Sequence, residues 1–473
     1  MRLYRIDWQS VWHDEIGTIY ICGRPFAELT EFLIRQDLTP PLHYFLTYGW
    51  FAVFGYGVLQ ARLLSVCFGL LAVVFTGLLG HSLFGRRAGL AAALLLSVST
   101  FGVMYSQEAR CYSQLLFLSV AAIYFFLTAA RELSVARWAL FVLCALGAAY
   151  THYFGALTPA VLALVAVVRR RECRIPARWW AGGLLLGLVL YTPWALSGVF
   201  DHLFQRPKHL NLLSDSSVAA TWLSPVMSVN WFNNGKWLGV NSPTPPWLFI
   251  LGALLFTLPA IYGSRTLLKR PPLEAVESER RRSLALINAL WLAPLLAIVL
   301  AGLLLGVRFN FRYIVFLAAP YYLVVGKGLA ELQPPRLRAI WILLVLIHSG
   351  IGLRAVYYLP FKENYRAAVI HVAAQQRPGD CAVFLPARKW GERAEFWHVY
   401  RRDTAPPRLT DAGTAASGTS GCARVWLVWD RTWWLNREPA PSVAAKETLE
   451  SSLARLEQAR YFEMEIGLYE PRR

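Results

Sequence analysis

Long apolar blocks separated by short polar loops constrain this chain more than any other feature. The blocks cover about 59–82, 88–105, 113–130, 137–152, 154–168, 180–197, 247–264, 285–306, 313–330 and 339–357. In hydrocarbon every backbone N–H and C=O must be paired within the spanning structure, so blocks of this length read as transmembrane helices. A membrane barrel would need alternating strands of about ten residues, and the sequence holds no such series. Of the 473 residues, 56% are hydrophobic and only 16% charged, and the mean hydropathy is +0.40. A soluble protein would need several large cores to bury that much. The expected fold class is an all-α polytopic membrane bundle.

The loops alternate in charge. Arg86 and Arg87 follow the first block, Arg131 and Arg137 flank the third loop, and Arg169, Arg170, Arg171, Arg174 and Arg178 follow the fifth block. Arg265, Lys269, Arg270, Arg280, Arg281 and Arg282 follow the seventh, and Arg336 and Arg338 follow the ninth. The positive-inside rule assigns these loops to the cytoplasm of a plasma (inner) membrane. The extracytoplasmic side then receives residues 1–58, Ser106–Tyr112, His152–Tyr153, the long loop 198–246, Val307–Arg312 and the chain beyond about Pro360. Three regions follow: a first outer loop with interfacial helices (1–58), a helical membrane domain (59–357) and a soluble α/β domain (358–473). The last reads as helix 364–376, strand 381–385, helix 390–400, strand 424–429, helix 443–459 and strand 461–469. An even number of spans with the C-terminus outside requires the N-terminus outside too. Either one further span precedes Met1, the favoured arrangement, or Pro41–Tyr56 itself crosses the membrane.

The formal charge of +18 suits anionic partners such as lipid headgroups or a phosphate-bearing substrate. Nucleic acid fits poorly, because the basic residues lie between apolar blocks. There is no P-loop and no His-Glu-x-x-His zinc motif. No Asp or Glu lies in the middle of a block, and His348 is the main ionisable exception. That argues against a lipid or solute transporter, the principal rival, and favours surface chemistry. A catalytically inactive scaffold is a further alternative.

Four outer constellations could carry chemistry. Trp12-His13-Asp14-Glu15 offers two adjacent carboxylates, as a general base with its neighbour or as residues stabilising the start of an interfacial helix. Tyr105-Ser106-Gln107-Glu108-Ala109-Arg110-Cys111-Tyr112 packs four hydrogen-bonding side chains and two Tyr between two spans, where Ser106 could also cap the next helix. Thr151-His152-Tyr153 at a span end suits an interfacial belt or a substrate contact. Arg308 and Arg312, with Lys208 and His209 as weaker companions, could anchor to lipid phosphate or clamp a substrate phosphate, for which guanidinium geometry is well suited. Cys381 and Cys422 begin two adjacent expected strands, so they are either a disulfide or two unrelated buried residues.

Ser10-Val11-Trp12-His13-Asp14-Glu15, Thr39-Pro40-Pro41-Leu42-His43-Tyr44, the 105–112 motif, Tyr150-Thr151-His152-Tyr153 and Phe311-Arg312-Tyr313 follow one another as in a known family. Over about residues 1–355 the chain resembles bacterial membrane glycosyltransferases of the GT-C fold in glycosyltransferase family 39. These are relatives of protein O-mannosyltransferases and of the lipid A aminoarabinose transferase. The resemblance implies sugar transfer from a polyprenyl-phosphate carrier to a glycan, lipid or protein acceptor on the extracytoplasmic face. It casts Asp14 as the catalytic acid residue, with Glu15 and Glu108 as acidic companions. Arg110 and Arg312, with Arg308 and Lys208, would face the donor phosphate. Gln107, Tyr112, His152, Tyr153 and His43 would contact substrate. No cofactor is required. Relatives often carry His or Glu-Lys before the Pro-Pro pair, a region associated with metal in some. Leu38-Thr39 stands there in this chain, which puts a divalent metal in doubt.

Overall fold

The computed structural model describes residues 1–169, 173, 175–205, 232, 246–268, 275–305, 311–385, 394–410, 421–430 and 440–472. Among the described residues all ten apolar blocks are predominantly helical, and the chain is a mostly helical polytopic protein with a small C-terminal α/β domain. Among the described residues six helices are long and apolar enough to cross a membrane: Val58–Phe84, Tyr112–Glu132, Trp247–Leu268, Val276–Ala301, Arg312–Glu331 and Pro335–Tyr358. A seventh span arises if Arg86–Val98 and Thr100–Ser106, bent by 61°, act as one. Val135–Thr151 and Tyr153–Val168 are shorter apolar helices.

The chain divides into two compact units that interleave along the sequence. The first comprises Met1–Tyr4, Pro25–Val53 and Arg62–Val356, and the second Arg5–Arg24, Phe54–Ala61 and Tyr357–Arg473.

In the first unit, helix Ala318–Glu331 is buried from Ala318 to Leu329. Small residues let its backbone approach its neighbours closely, as packing between membrane helices requires. A Cβ on Gly328 would lie 1.8 Å from the Pro259 carbonyl oxygen, and one on Gly326 would lie 2.7 Å from the Ala92 nitrogen. The bend between Val98 and Thr100 is stabilised by Ser99, whose Oγ accepts from the Gly102 N–H at 3.0 Å. The expected cap at Ser106 does not form. Ser106 ends its helix, accepts from Arg2 Nε at 3.0 Å and donates to the Gly102 carbonyl at 2.6 Å.

The second unit contains a five-stranded sheet: β1 Asp380–Leu385, β2 Arg408–Thr410, β3 Arg424–Asp430, β4 Leu453–Tyr461 and β5 Met464–Pro471, in spatial order β2-β1-β3-β5-β4. β1 runs parallel to β2 and β3, and β5 runs antiparallel to β3 and β4. Cys381 and Cys422 form a disulfide with Cα atoms 5.7 Å apart, inside a core that includes Val383, Leu385, Val425, Leu427 and Leu449. The expected helix 443–459 is instead helix Ala440–Ser452 followed directly by β4. Leu453-Ala454-Arg455-Leu456-Glu457 is rich in good helix formers, but pairing with β5 overrides that local preference.

Candidate functional site

In the first unit the polar side chains gather around Arg110. The π-helical turn Leu33–Asp37 ends at Leu38, which adopts the left-handed conformation at φ 63°. A buried Leu held there is strained, and such strain persists only where surrounding contacts over-determine it. Here the Leu38 N–H donates to the Leu33 carbonyl at 2.9 Å, and its carbonyl accepts from the Tyr153 hydroxyl at 2.8 Å. The turn sets the Asp37 carboxylate to accept from Thr39 Oγ1 at 2.6 Å and from the Tyr44 hydroxyl. The same Tyr44 oxygen accepts from Arg110 Nη1 at 2.9 Å. Asp37, Tyr44 and Arg110 are therefore one relay, in which the phenol gives its proton to a carboxylate and its lone pair to a guanidinium.

A second chain of hydrogen bonds runs beside it. Thr151 Oγ1 donates to the Gly147 carbonyl at 2.7 Å and accepts from Gln114 Nε2 at 2.8 Å. The Gln114 oxygen therefore faces His43 Nδ1, 3.0 Å away, and Nδ1 carries the proton. His43 is 1% exposed. Its Nε2 has no hydrogen-bond partner among the described residues.

His152 lies between the two shorter apolar helices. Its Nδ1 accepts from the Phe154 N–H at 3.2 Å, and its ring packs 5.3 Å from that of Tyr313. Burial, aided by the Arg110 charge, lowers its pKa to about 4, so the ring is neutral near pH 7. Arg312, half-buried, precedes Tyr313 in the short 3-10 helix Phe311–Leu317.

The remaining members of the 105–112 motif face inward. Gln107 Nε2 donates to the Arg2 and Tyr4 carbonyls at 3.0 and 2.9 Å. Tyr112 is 4% exposed and packs edge-on against Tyr105 at 4.9 Å. Glu108 is 5% exposed, and its carbonyl accepts from the Arg110 N–H at 2.8 Å. Arg308, Lys208 and His209 lie outside the described residues.

In the second unit, Asp14 and Glu15 occupy the first turn of helix His13–Cys22, where negative charge complements the helix dipole. Asp14 is half-buried. Glu15 is fully buried and forms an ion pair at 2.6 Å with Lys362, itself 6% exposed. Sequence reasoning did not anticipate Asp37 as a site residue, nor the Lys362 partner of Glu15. The signal available for Asp37 was an acidic residue just ahead of Thr-Pro-Pro, a turn-forming pattern. Among the described residues no three His, Cys, Asp or Glu side chains cluster as metal ligands would.

The sequence profile of the family described as dolichyl-phosphate-mannose-protein mannosyltransferase matches residues 39–196. Over that stretch the resemblance carried by the motifs holds. It spans His43, Tyr44, Glu108, Arg110, Gln114, His152 and Tyr153. A comparison with curated protein sequences finds no match. Among solved structures, ArnT from Cupriavidus metallidurans bound to undecaprenyl phosphate is 16% identical, with a TM-score of 0.49 over 98% of this chain and 95% of that one. The oligosaccharyltransferase AglB from Archaeoglobus fulgidus, in complex with an inhibitory peptide and a dolichol-phosphate, is 13% identical, with a TM-score of 0.48 over 89% of this chain and 66% of that one.

Proposed function

We propose that this chain is an integral membrane glycosyltransferase that moves a sugar from a polyprenyl-phosphate carrier to a glycan, lipid or protein acceptor on the extracytoplasmic face, with inversion. The observation that carries the reading is the Arg110 cluster, which lies wholly within or adjoining the segment matched by the mannosyltransferase family. A phosphate ester is already a good leaving group, so the main demand is stabilisation of the negative charge that develops on it. Arg110, oriented through Tyr44 and Asp37, supplies that charge, and Arg312 adds a second guanidinium. Neutral His152 and the acceptor nitrogen of His43 suit contacts with sugar hydroxyls. Asp14 takes the proton of an acceptor hydroxyl that attacks the anomeric carbon opposite the leaving phosphate, which inverts the configuration. For a phosphate acceptor Asp14 need only orient it.

The Cys381–Cys422 disulfide supports an extracytoplasmic C-terminal domain, since such bonds persist in oxidising compartments and are rare in the cytosol. The alternating basic loops support the same side.

The direct test uses purified protein, a polyprenyl-phosphate sugar fraction and an acceptor extract, with mass spectrometry of the lipid-linked sugar consumed and the glycan formed. Transfer by wild type and its loss in Asp14→Asn are expected. Solute movement without cleavage of a glycosidic bond would replace the reading with a transporter.

A further inference from the structure

The buried pair Glu15–Lys362 points to a role that neither residue type suggests alone. We infer that Glu15 and Lys362 are positioning residues that set the rotation of the helix carrying Asp14, and that the C-terminal domain thereby controls the transferase step. This rests on the reading of Asp14 as the acceptor's base.

The argument starts from helix geometry. Successive side chains on an α-helix are about 100° apart, so fixing one fixes the direction of the next. In helix His13–Cys22 the inward stripe contains Glu15, Ile16, Thr18, Ile19, Ile21 and Cys22. Ile16 and Ile19, like Glu15, are 0% exposed, whereas Asp14 stands half-buried at the border of the stripe. An apolar stripe alone tolerates small rotations, because dispersion contacts have little directionality. A carboxylate taken wholly out of water does not, because it must keep its cation. Lys362 Nζ meets Glu15 Oε2 at 2.6 Å. The helix can turn only by separating that pair.

The approach to the helix is held by the same part of the chain. The Tyr400 hydroxyl accepts from the Val11 N–H at 2.8 Å and lies 3.0 Å from Ser10 Oγ. The Arg366 N–H donates to Ser10 Oγ at 3.2 Å, and its guanidinium pairs with Asp7 at 2.9 Å. Gln9 Nε2 donates to the Leu359 carbonyl at 2.8 Å. Further along the helix the Tyr20 ring stacks on His398 at 5.9 Å. Residues 7–11 and helix His13–Cys22 are thus packed on the C-terminal segment along their length, and Lys362 supplies a buried charge that meets the first helical turn.

The test measures kcat and donor KM of the purified full chain, with the polyprenyl-phosphate sugar fraction as donor, alongside thermal unfolding. Lys362→Met is expected to lower kcat by at least about tenfold, as a small misplacement of a reacting group does, with donor KM within about twofold of wild type. Lys362→Arg, which keeps the charge, is expected to recover most of the loss. Added to Asp14→Asn, Lys362→Met is expected to cost nothing further, because it acts through Asp14. Should Lys362→Met fail to fold, Glu15→Leu with Lys362→Met leaves neither charge stranded and carries the same expectation for kcat. Wild-type kcat in that double variant, or a multiplied loss on Asp14→Asn, would overturn the positioning role. Wild-type transfer by Asp14→Asn alone would instead overturn the reading of Asp14 as base.

Discussion

Two acidic groups in this molecule are treated in opposite ways. Glu15 is sealed: its carboxylate is fully buried and faces a Lys that is itself nearly buried. Asp37 is half-buried and shares its charge along a relay, through the Tyr44 hydroxyl to Arg110. A buried ion pair fixes geometry and offers little to a substrate, since disturbing it leaves a charge stranded in low dielectric. A relay through a neutral hydroxyl can change partners at small cost, because the phenol can rotate its proton. The neighbouring chain from Thr151 through Gln114 ends on His43 Nε2, which has no partner among the described residues. Charge that holds the fold and charge that can meet a ligand are therefore distinguishable by where the hydrogen bonds stop.

Breaking the sealed pair should have the largest effect. Glu15→Leu alone leaves Lys362 buried without its carboxylate and is expected to cost about 3–5 kcal/mol, read as a fall in unfolding temperature. An effect on His152 comes next. Its pKa is depressed in the folded protein, so the unfolded chain binds the extra proton first as pH falls. Stability from this group is complete above about pH 6.5 and declines towards about pH 4, by about 3 kcal/mol in all. His152→Gln should flatten that part of the stability–pH curve. In the relay, Arg110→Lys keeps the charge but loses the planar fork, and a fall in kcat/KM of about a hundredfold is expected. Unchanged donor kinetics would remove Arg110 from the phosphate. The smallest effect is Tyr44→Phe, about tenfold in kcat/KM, because it deletes one hydrogen bond to a charged partner while leaving Arg110 in place. Were Tyr44→Phe to cost as much as Arg110→Lys, the relay would be as rigid as the sealed pair and the contrast would fail.

What the sequence made legible follows the strength of the underlying physics. The demand that lipid places on backbone hydrogen bonds made the ten apolar blocks readable as helical, although the block at 88–105 is broken into two helices at Ser99. Strand Leu453–Tyr461 was not readable, because its residues prefer helix and only β5 tells them otherwise. The Cys381–Cys422 bond depends on two strands lying side by side, which their spacing allowed without requiring. At the site, Arg110 and His152 stood out as polar residues at span ends, whereas His43 entered only with the family resemblance. Asp37 did not, because its position depends on a left-handed Leu38 that no propensity favours. The Lys362 partner of Glu15 was invisible for a simpler reason: the two are 347 positions apart.

That separation governs how the protein must be made. At about 5–20 residues per second, a ribosome needs roughly 20–70 s after releasing Glu15 to deliver Lys362. Throughout that interval the acidic helix exists without the segment that packs against it, while the apolar helices between are being inserted. The ion pair can form only after those helices have been made, so the acidic helix stays unsealed through the making of the membrane bundle.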